Sequence, residues 1–463
     1  MFKRMVYALL GVLGILVLVM VASRLWPASA QQKQARAALE QPVDWPGENA
    51  WALLETLNHD GLDMAQRQAL VDERARRFVL WTEDDLASSP NDMPLTGLPA
   101  GTVTRIPQPP VLGGEAVTWE NSEALCSSGQ AADCLGKVRQ APAAVAAELA
   151  NRQALLQRVA QLADYGHVRT PYMADVSMPY LHTLGRLFDP LAAHALAHVQ
   201  GDSVQAMEGL CRDMGTARML LARSDSLINA MVGSALLQAN GQLLAQVLAE
   251  LPVGQALPTA CAAAAAPLPP QDQGLCLAMR GEYAMSRAAI SDSYQHEMAS
   301  TPGSSWLLNV DKSLYRSAAY LGQGCLPPVQ EQLAQDQPVV PDTRGRSLWK
   351  MECPANAIGC ILTGIAGPAY GSYHHRVQDT AAQQRLLAAL VWLRQQPGLT
   401  AADIARHLQQ LPPELVSARR PIILSTDGRA LQVQPRYDRK GAEADTPLGV
   451  PLPQAWWPAA PAP

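Results

Sequence analysis

The chain opens on an unbroken apolar run from Met5 to Ala22, with Lys3 and Arg4 before it and Ser23 and Arg24 after it. Eighteen residues at 1.5 Å each reach about 27 Å, close to the roughly 30 Å hydrocarbon layer of a bilayer. Positive charge ahead of such a run sets a cytoplasmic N-terminus, so everything after Arg24 is expected to be exported. The favoured reading of residues 1–30 is an uncleaved signal-anchor, with Trp26 at the interface and Pro27 ending the helix as it leaves the lipid. The alternative is cleavage near Ala30, after the small residues Ala28-Ser29-Ala30.

Residues 31–46 are polar and contain Pro42 and Pro46, which reads as a stalk. A short helix is expected over 49–57. Asp63 and Gln66 form an N-cap and N3 pair opening a second helix to about Trp81, so 47–90 is a small N-terminal helical piece. Prolines 94, 99, 107, 109 and 110 make 91–118 a long loop.

The main body, 119–410, carries a 3.6-residue apolar period. After Pro142, residues Val145, Leu149, Leu156, Val159 and Ala163 form one stripe ending near Tyr165. Helices follow over 179–199, broken near Pro190, then from Asp202 with Gln205 at N3, then from Ser224 or Asp225 to Leu251. The breaks are so short that neighbours must lie antiparallel, as a hairpin stack. Ala193, Ala197, Gly201 and Ala206 put small residues where two of these helices cross.

Residues 261–270 read as a connector, 275–291 and 311–321 as helices, and 327–341 as irregular. The stretch 357–371, with Gly359, Gly364, Gly367 and Pro368, reads as a buried turn region before the longest helix, 369–396, which Pro397 and Gly398 stop. Thr400 and Asp403 form another capping box.

Toward the C-terminus the period drops to two. Ile422–Leu424 and Ala430–Val433 flank Asp427-Gly428, which predicts a β-hairpin with a type I′ turn inside 411–440. Residues 441–463 form a proline-rich tail whose Trp456 and Trp457 either dock on the body or meet a partner. The predicted fold class is mainly α: a single N-terminal transmembrane helix, a hairpin-stacked body and a small C-terminal β-hairpin.

Composition narrows the function classes. With 463 residues, 48% of them hydrophobic, the chain can fill a large core. Past residue 30 it holds 33 basic against 41 acidic side chains. Phosphate neutralisation needs a basic face, so nucleic acid is not an expected partner.

Eight cysteines in an exported chain predict disulfides. Nearness in sequence pairs Cys126 with Cys134, Cys261 with Cys276 and Cys353 with Cys360, leaving Cys211 for Cys325. No Cys-x-x-Cys spacing points to zinc.

Three constellations carry candidate chemistry. His194 and His198, at i and i+4, share a helix face as metal ligands do, but no glutamate base lies between them and no third ligand follows from spacing. Tyr370, Tyr373, His374, His375 and Arg376 form a polar aromatic cluster suited to a ligand or partner. Ser347 and Lys350 match Ser-x-x-Lys without the companion motifs of penicillin-recognising enzymes. No nucleophile elbow, phosphate loop or dinucleotide fingerprint occurs, and no cofactor is implied. The expected function is therefore a bacterial inner-membrane protein, its C-terminal bulk in the periplasm, binding another envelope protein without catalysis as a scaffold, assembly factor or toxin inhibitor. A periplasmic hydrolase acting on cell-wall or peptide material is the alternative.

Overall fold

A computed structural model describes residues 2–88, 109–119, 122–126, 133–292, 306–339, 350–437 and 446–457. Most of the loop expected over 91–118, the serine of the Ser347/Lys350 pair and both ends of the expected tail lie outside the described residues. The fold is mainly α, with one small sheet near the C-terminus.

Helix α1 (Phe2–Leu25) stands clear of the body along its apolar window and, among the described residues, is the one helix long and apolar enough to cross a membrane. Its exit is fixed. Ser23 is fully buried, and its hydroxyl accepts the Ala355 N–H at 2.8 Å.

The expected stalk is instead a docked helix, α2 (Ala30–Glu40). Ser29 caps it reciprocally with Gln32, satisfying orphan backbone donors. Ala35 and Leu39 bury against Gly322, where a Cβ would come within 2.9 Å of the Ala35 carbonyl. Two apolar positions in a polar segment are enough to dock one face.

Helix α3 (Trp51–Glu55) is short and wholly buried, and α4 (Met64–Ser88) starts at the expected Asp63 and Gln66 cap. Between them Glu55 is buried with Arg74, Tyr172 and the Trp51 indole as partners. Helix α5 (Cys134–Gln140) follows, and the single stripe expected after Pro142 is divided into α6 (Pro142–Asn151) and α7 (Gln153–Gln161). The break falls at Arg152, which leaves helical geometry while its buried guanidinium binds Glu148 and Asp189.

The antiparallel stack is α8 (Pro190–Val199), α9 (Ser203–Ala222) and α10 (Leu227–Glu250). Gly201 turns the chain at φ 96°, and Asp202 caps α9 through the Gln205 N–H at 3.2 Å. Gly233 lets α10 lie on α9, since a Cβ there would meet the Leu221 nitrogen at 2.6 Å.

Four helices follow: α11 (Ala260–Ala264), α12 (Pro270–Gln273), α13 (Cys276–Asp292) and α14 (Val310–Leu321). The region read as irregular after 327 contains α15 (Pro327–Ala334), with proline at the first helical position, where its missing N–H costs nothing.

The predicted turn region is no turn. Helix α16 runs unbroken from Ala357 to Arg394. Its glycines serve close helix approach: a Cβ at Gly359 would collide with the Ser313 hydroxyl, and one at Gly367 would meet the Tyr320 ring at 2.8 Å. Between them the Arg316 guanidinium donates to the Thr363 hydroxyl at 2.9 Å. Residues 313, 316 and 320 thus climb α14 in step with 359, 363 and 367, and the two helices run in the same direction.

After α17 (Ile404–Leu408) comes a three-stranded antiparallel sheet of β1 (Ile423–Leu424), β2 (Ala430–Val433) and β3 (Leu448–Pro451). Leu424 pairs with Leu431, and Leu431 with Val450. The hairpin is where it was expected, but its turn differs. Only Gly428 has positive φ, 69°, and its N–H closes a turn on the Ser425 carbonyl at 2.9 Å; a type I′ turn needs positive φ at two positions. Strand β3 lies in the segment read as tail, and Trp456 docks in the core at 3% exposure.

Buried ions clamp this sheet to α16. Arg420 binds Asp379 and Asp336, each at 2.7 Å, and Asp336 also takes Arg385 at 2.8 Å. Burial opposes the Asp336 charge, yet hydrogen bonding from Arg420 and the surrounding guanidinium charges hold its pKa below the ordinary carboxylate value.

All eight cysteines are paired. Cys126–Cys134 and Cys353–Cys360 match the expectation, whereas Cys211 bonds Cys261 and Cys276 bonds Cys325. Cys261 sits on α11, which packs on α9 beside Cys211, while Cys276 opens α13 against the turn at 322–325. Packing, not nearness along the chain, chose the partners.

Candidate functional site

The Tyr370 to Arg376 cluster shares one helix but not one site. Tyr370 donates its hydroxyl to Glu282 at 3.0 Å. Tyr373 lies beneath Arg376, whose guanidinium also caps Tyr437. His375 meets the Val339 carbonyl at 3.1 Å. His374 points inward: it is fully buried, neither ring nitrogen has a hydrogen-bond partner among the described residues, and burial, with the neighbouring His375, pushes its pKa down to about 4.

That burial has a pH consequence. The unfolded imidazole titrates near 6.5, above the folded value of about 4. As pH falls the unfolded chain takes the proton first, so stability is whole above about pH 6.5 and is lost on the way down to about pH 4. Comparing urea denaturation at about pH 7.5 and about pH 5, His374→Leu should remove roughly 2 kcal/mol of the acid-side loss seen in the parent chain. An unchanged loss would contradict the buried, neutral ring.

His194 and His198 do not converge on a common ligand. His194 Nε2 sits 2.7 Å from Asp213, and His198 bridges Ser203 at 2.8 Å and Glu250 at 2.9 Å. Among the described residues no group of three or more His, Cys, Asp and Glu could hold a metal ion. Ser203, His198 and Glu250 form a hydrogen-bonded chain with the connectivity of a hydrolase triad, yet they line neither the space between α13, α14 and α16, nor the groove at 253–267, nor the space beside Trp26. Their placement, at the ends of α8, α9 and α10, ties the hairpin stack together.

One cluster residue does reach a cavity. Tyr370 and Glu282 line a space of about 460 Å³ between α13, α14 and α16. Its walls are chiefly apolar, from Met285, Ile290, Leu321 and Leu362, with Val176 exposed at the rim. Ser286 and Ser317 bond each other at 2.9 Å. Burial raises the Glu282 pKa against the pull of Tyr370, and burial with the Glu282 charge raises that of Tyr370. Both polar groups are thereby satisfied within an apolar setting. Sequence reasoning found Tyr370 and missed Glu282, which lies on α13 with no motif around it.

Two further spaces frame the body. The larger, about 990 Å³, is an open groove between the 253–267 connector, the C-terminal end of α16 and residues 397–415. The other, about 310 Å³, lies just past the end of α1 among Trp26, Gln32, Arg316, Lys350 and Glu352. Lys350 therefore sits at the end of the body where α1 joins it.

Comparison with known proteins matches no protein family, no curated protein and no solved structure.

Proposed function

We propose that this chain is a non-enzymatic protein anchored in a bacterial inner membrane, with its body in the periplasm, that binds another envelope protein as a scaffold, assembly factor or toxin inhibitor. The observation that carries the reading is the tie between α1 and the body: buried Ser23 holds α1 to Ala355, and Ser29, within the small-residue stretch a peptidase would cut, caps α2. Cleavage near Ala30 would discard both contacts. Four disulfides favour an oxidising compartment. The groove of about 990 Å³ offers the partner a largely apolar surface at the end of the stack.

A photo-crosslinking residue at exposed Gln395, on that groove, should give one discrete protein adduct in intact cells, while one at exposed Lys33 should not. No adduct, or the same adducts at both positions, would contradict the binding role.

One observation favours the hydrolase reading, the chain of Ser203, His198 and Glu250. A fluorophosphonate probe applied to the full-length protein is expected to leave Ser203 unlabelled. Stoichiometric labelling, lost in Ser203→Ala, would replace the binding role with an enzymatic one.

A further inference from the structure

The N-terminal half of α16 carries a second apolar surface, beside the anchor. Ile361, Leu362 and Ile365 are exposed there, Ile365 to 73%, and no Asp, Glu, Lys or Arg occurs between Cys353 and Arg376. Trp306 and Leu307, also exposed, join it: the Ile358 N–H donates to the Leu307 carbonyl at 3.0 Å, and the Arg24 guanidinium lies 5.7 Å over the Trp306 ring. Contiguous apolar surface of this kind marks an interaction site. Its neighbour indicates what covers it.

Ser23 receives the Ala355 N–H in the last turn of α1, so α16 begins where the anchor leaves the lipid. A 24-residue helix is about 36 Å long against a hydrocarbon layer of roughly 30 Å, which puts Ser23 at headgroup depth. Ile361 and Ile365 are only about 6 and 12 Å along the axis from Ala357. The charges suit the same level. Arg24 and Lys312, whose ammonium donates to the Trp26 carbonyl at 2.5 Å, can meet anionic headgroups, and Trp306 matches an interfacial belt.

Leu362 belongs both to this face and to the 460 Å³ cavity behind it. The cavity's inner polar groups, Glu282 and Tyr370, satisfy each other and leave apolar walls for an occupant. We propose that the cavity takes a hydrocarbon chain of a bilayer phospholipid, which enters past Leu362 while the face around Ile361 and Ile365 rests on the lipid. The proposal depends on α1 being a retained anchor.

The test uses full-length protein in vesicles of phosphatidylethanolamine and phosphatidylglycerol doped with a phospholipid carrying a diazirine on its acyl chain, followed by peptide mapping. Label is expected in α1 and at the cavity residues Met285, Ile290 or Leu362. Ala289→Trp, which fills the cavity from its wall, should cut cavity labelling about tenfold and spare α1. The pair Ile361→Asn and Ile365→Asn should lower it too without altering the cavity itself. Label in α1 with none in the cavity, or cavity label unchanged by both variants, overturns the proposal and leaves the anchor standing. A chain unlabelled in α1 overturns both.

Discussion

Arg420→Ala is expected to cost about 3–5 kcal/mol and to free the C-terminal sheet from the helical body. Arg420 is 6% exposed, and its guanidinium also donates to the Gln378 carbonyl at 2.9 Å. Removing it leaves Asp379, itself 3% exposed at the side chain, as a buried carboxylate that keeps, among the described residues, hydrogen bonds from the Arg436 and Tyr437 N–H groups at 2.8 and 2.9 Å but no bonded guanidinium. An uncompensated buried charge is what makes breaking such a pair expensive. Arg420→Lys should recover little, because one ammonium cannot bridge two carboxylates as the planar fork does. The depressed Asp336 pKa adds a sign: its contribution is present above the unfolded value of about 3.9 and is lost as pH falls through the lower folded value. Urea denaturation, with proteolysis reporting release of residues 411–457, reads both effects. A loss under about 1 kcal/mol, the range of a surface pair, would contradict the buried clamp.

Replacing Cys211 and Cys261 together is expected to cost about 4 kcal/mol, from loop-closure entropy over their 50-residue separation. Cys276 with Cys325, separated by 49, should cost about the same, while Cys126 with Cys134, separated by 8, should cost about 2.5 kcal/mol. Single replacements identify the partners more sharply still. Cys211→Ala should expose Cys261 to alkylation and leave Cys325 protected; alkylation of Cys325 would contradict the observed pairing.

The long apolar N-terminal helix, the stacked helices and the hairpin were legible because local signals agreed with the final packing. Asp63 with Gln66, Asp202 with Gln205 and Thr400 with Asp403 all cap where spacing placed them. What was illegible depended on contacts distant in sequence. Gly359 and Gly367 look like turn residues until Ser313 and Tyr320 are seen lying on them. Cys261 and Cys276 are near neighbours in the chain but face α9 and the 322–325 turn respectively. Strand β3 reads as tail because its pairing partner, β2, lies beyond a connection of 14 residues, 434–447, whose middle carries no strand signal, and a short edge strand shows its period only against a core.

Of the five residues read as a cluster, one lines the cavity between α13, α14 and α16. Tyr370 lines the cavity, whereas Tyr373, whose ring centroid lies 6.4 Å from that of Tyr370, stops short of it, and His374, His375 and Arg376 meet other surroundings. Glu282 had no local signature to find. Its role follows from burial beside Tyr370, which only the packing of α13 on α16 creates.

Intact mass measurement of membrane-purified protein, alkylated without reduction, tests the central claim of a retained anchor on the oxidising side. The full 463-residue chain with no alkylated cysteine is expected. A chain beginning near Ala30, or one carrying eight alkyl groups, would contradict it.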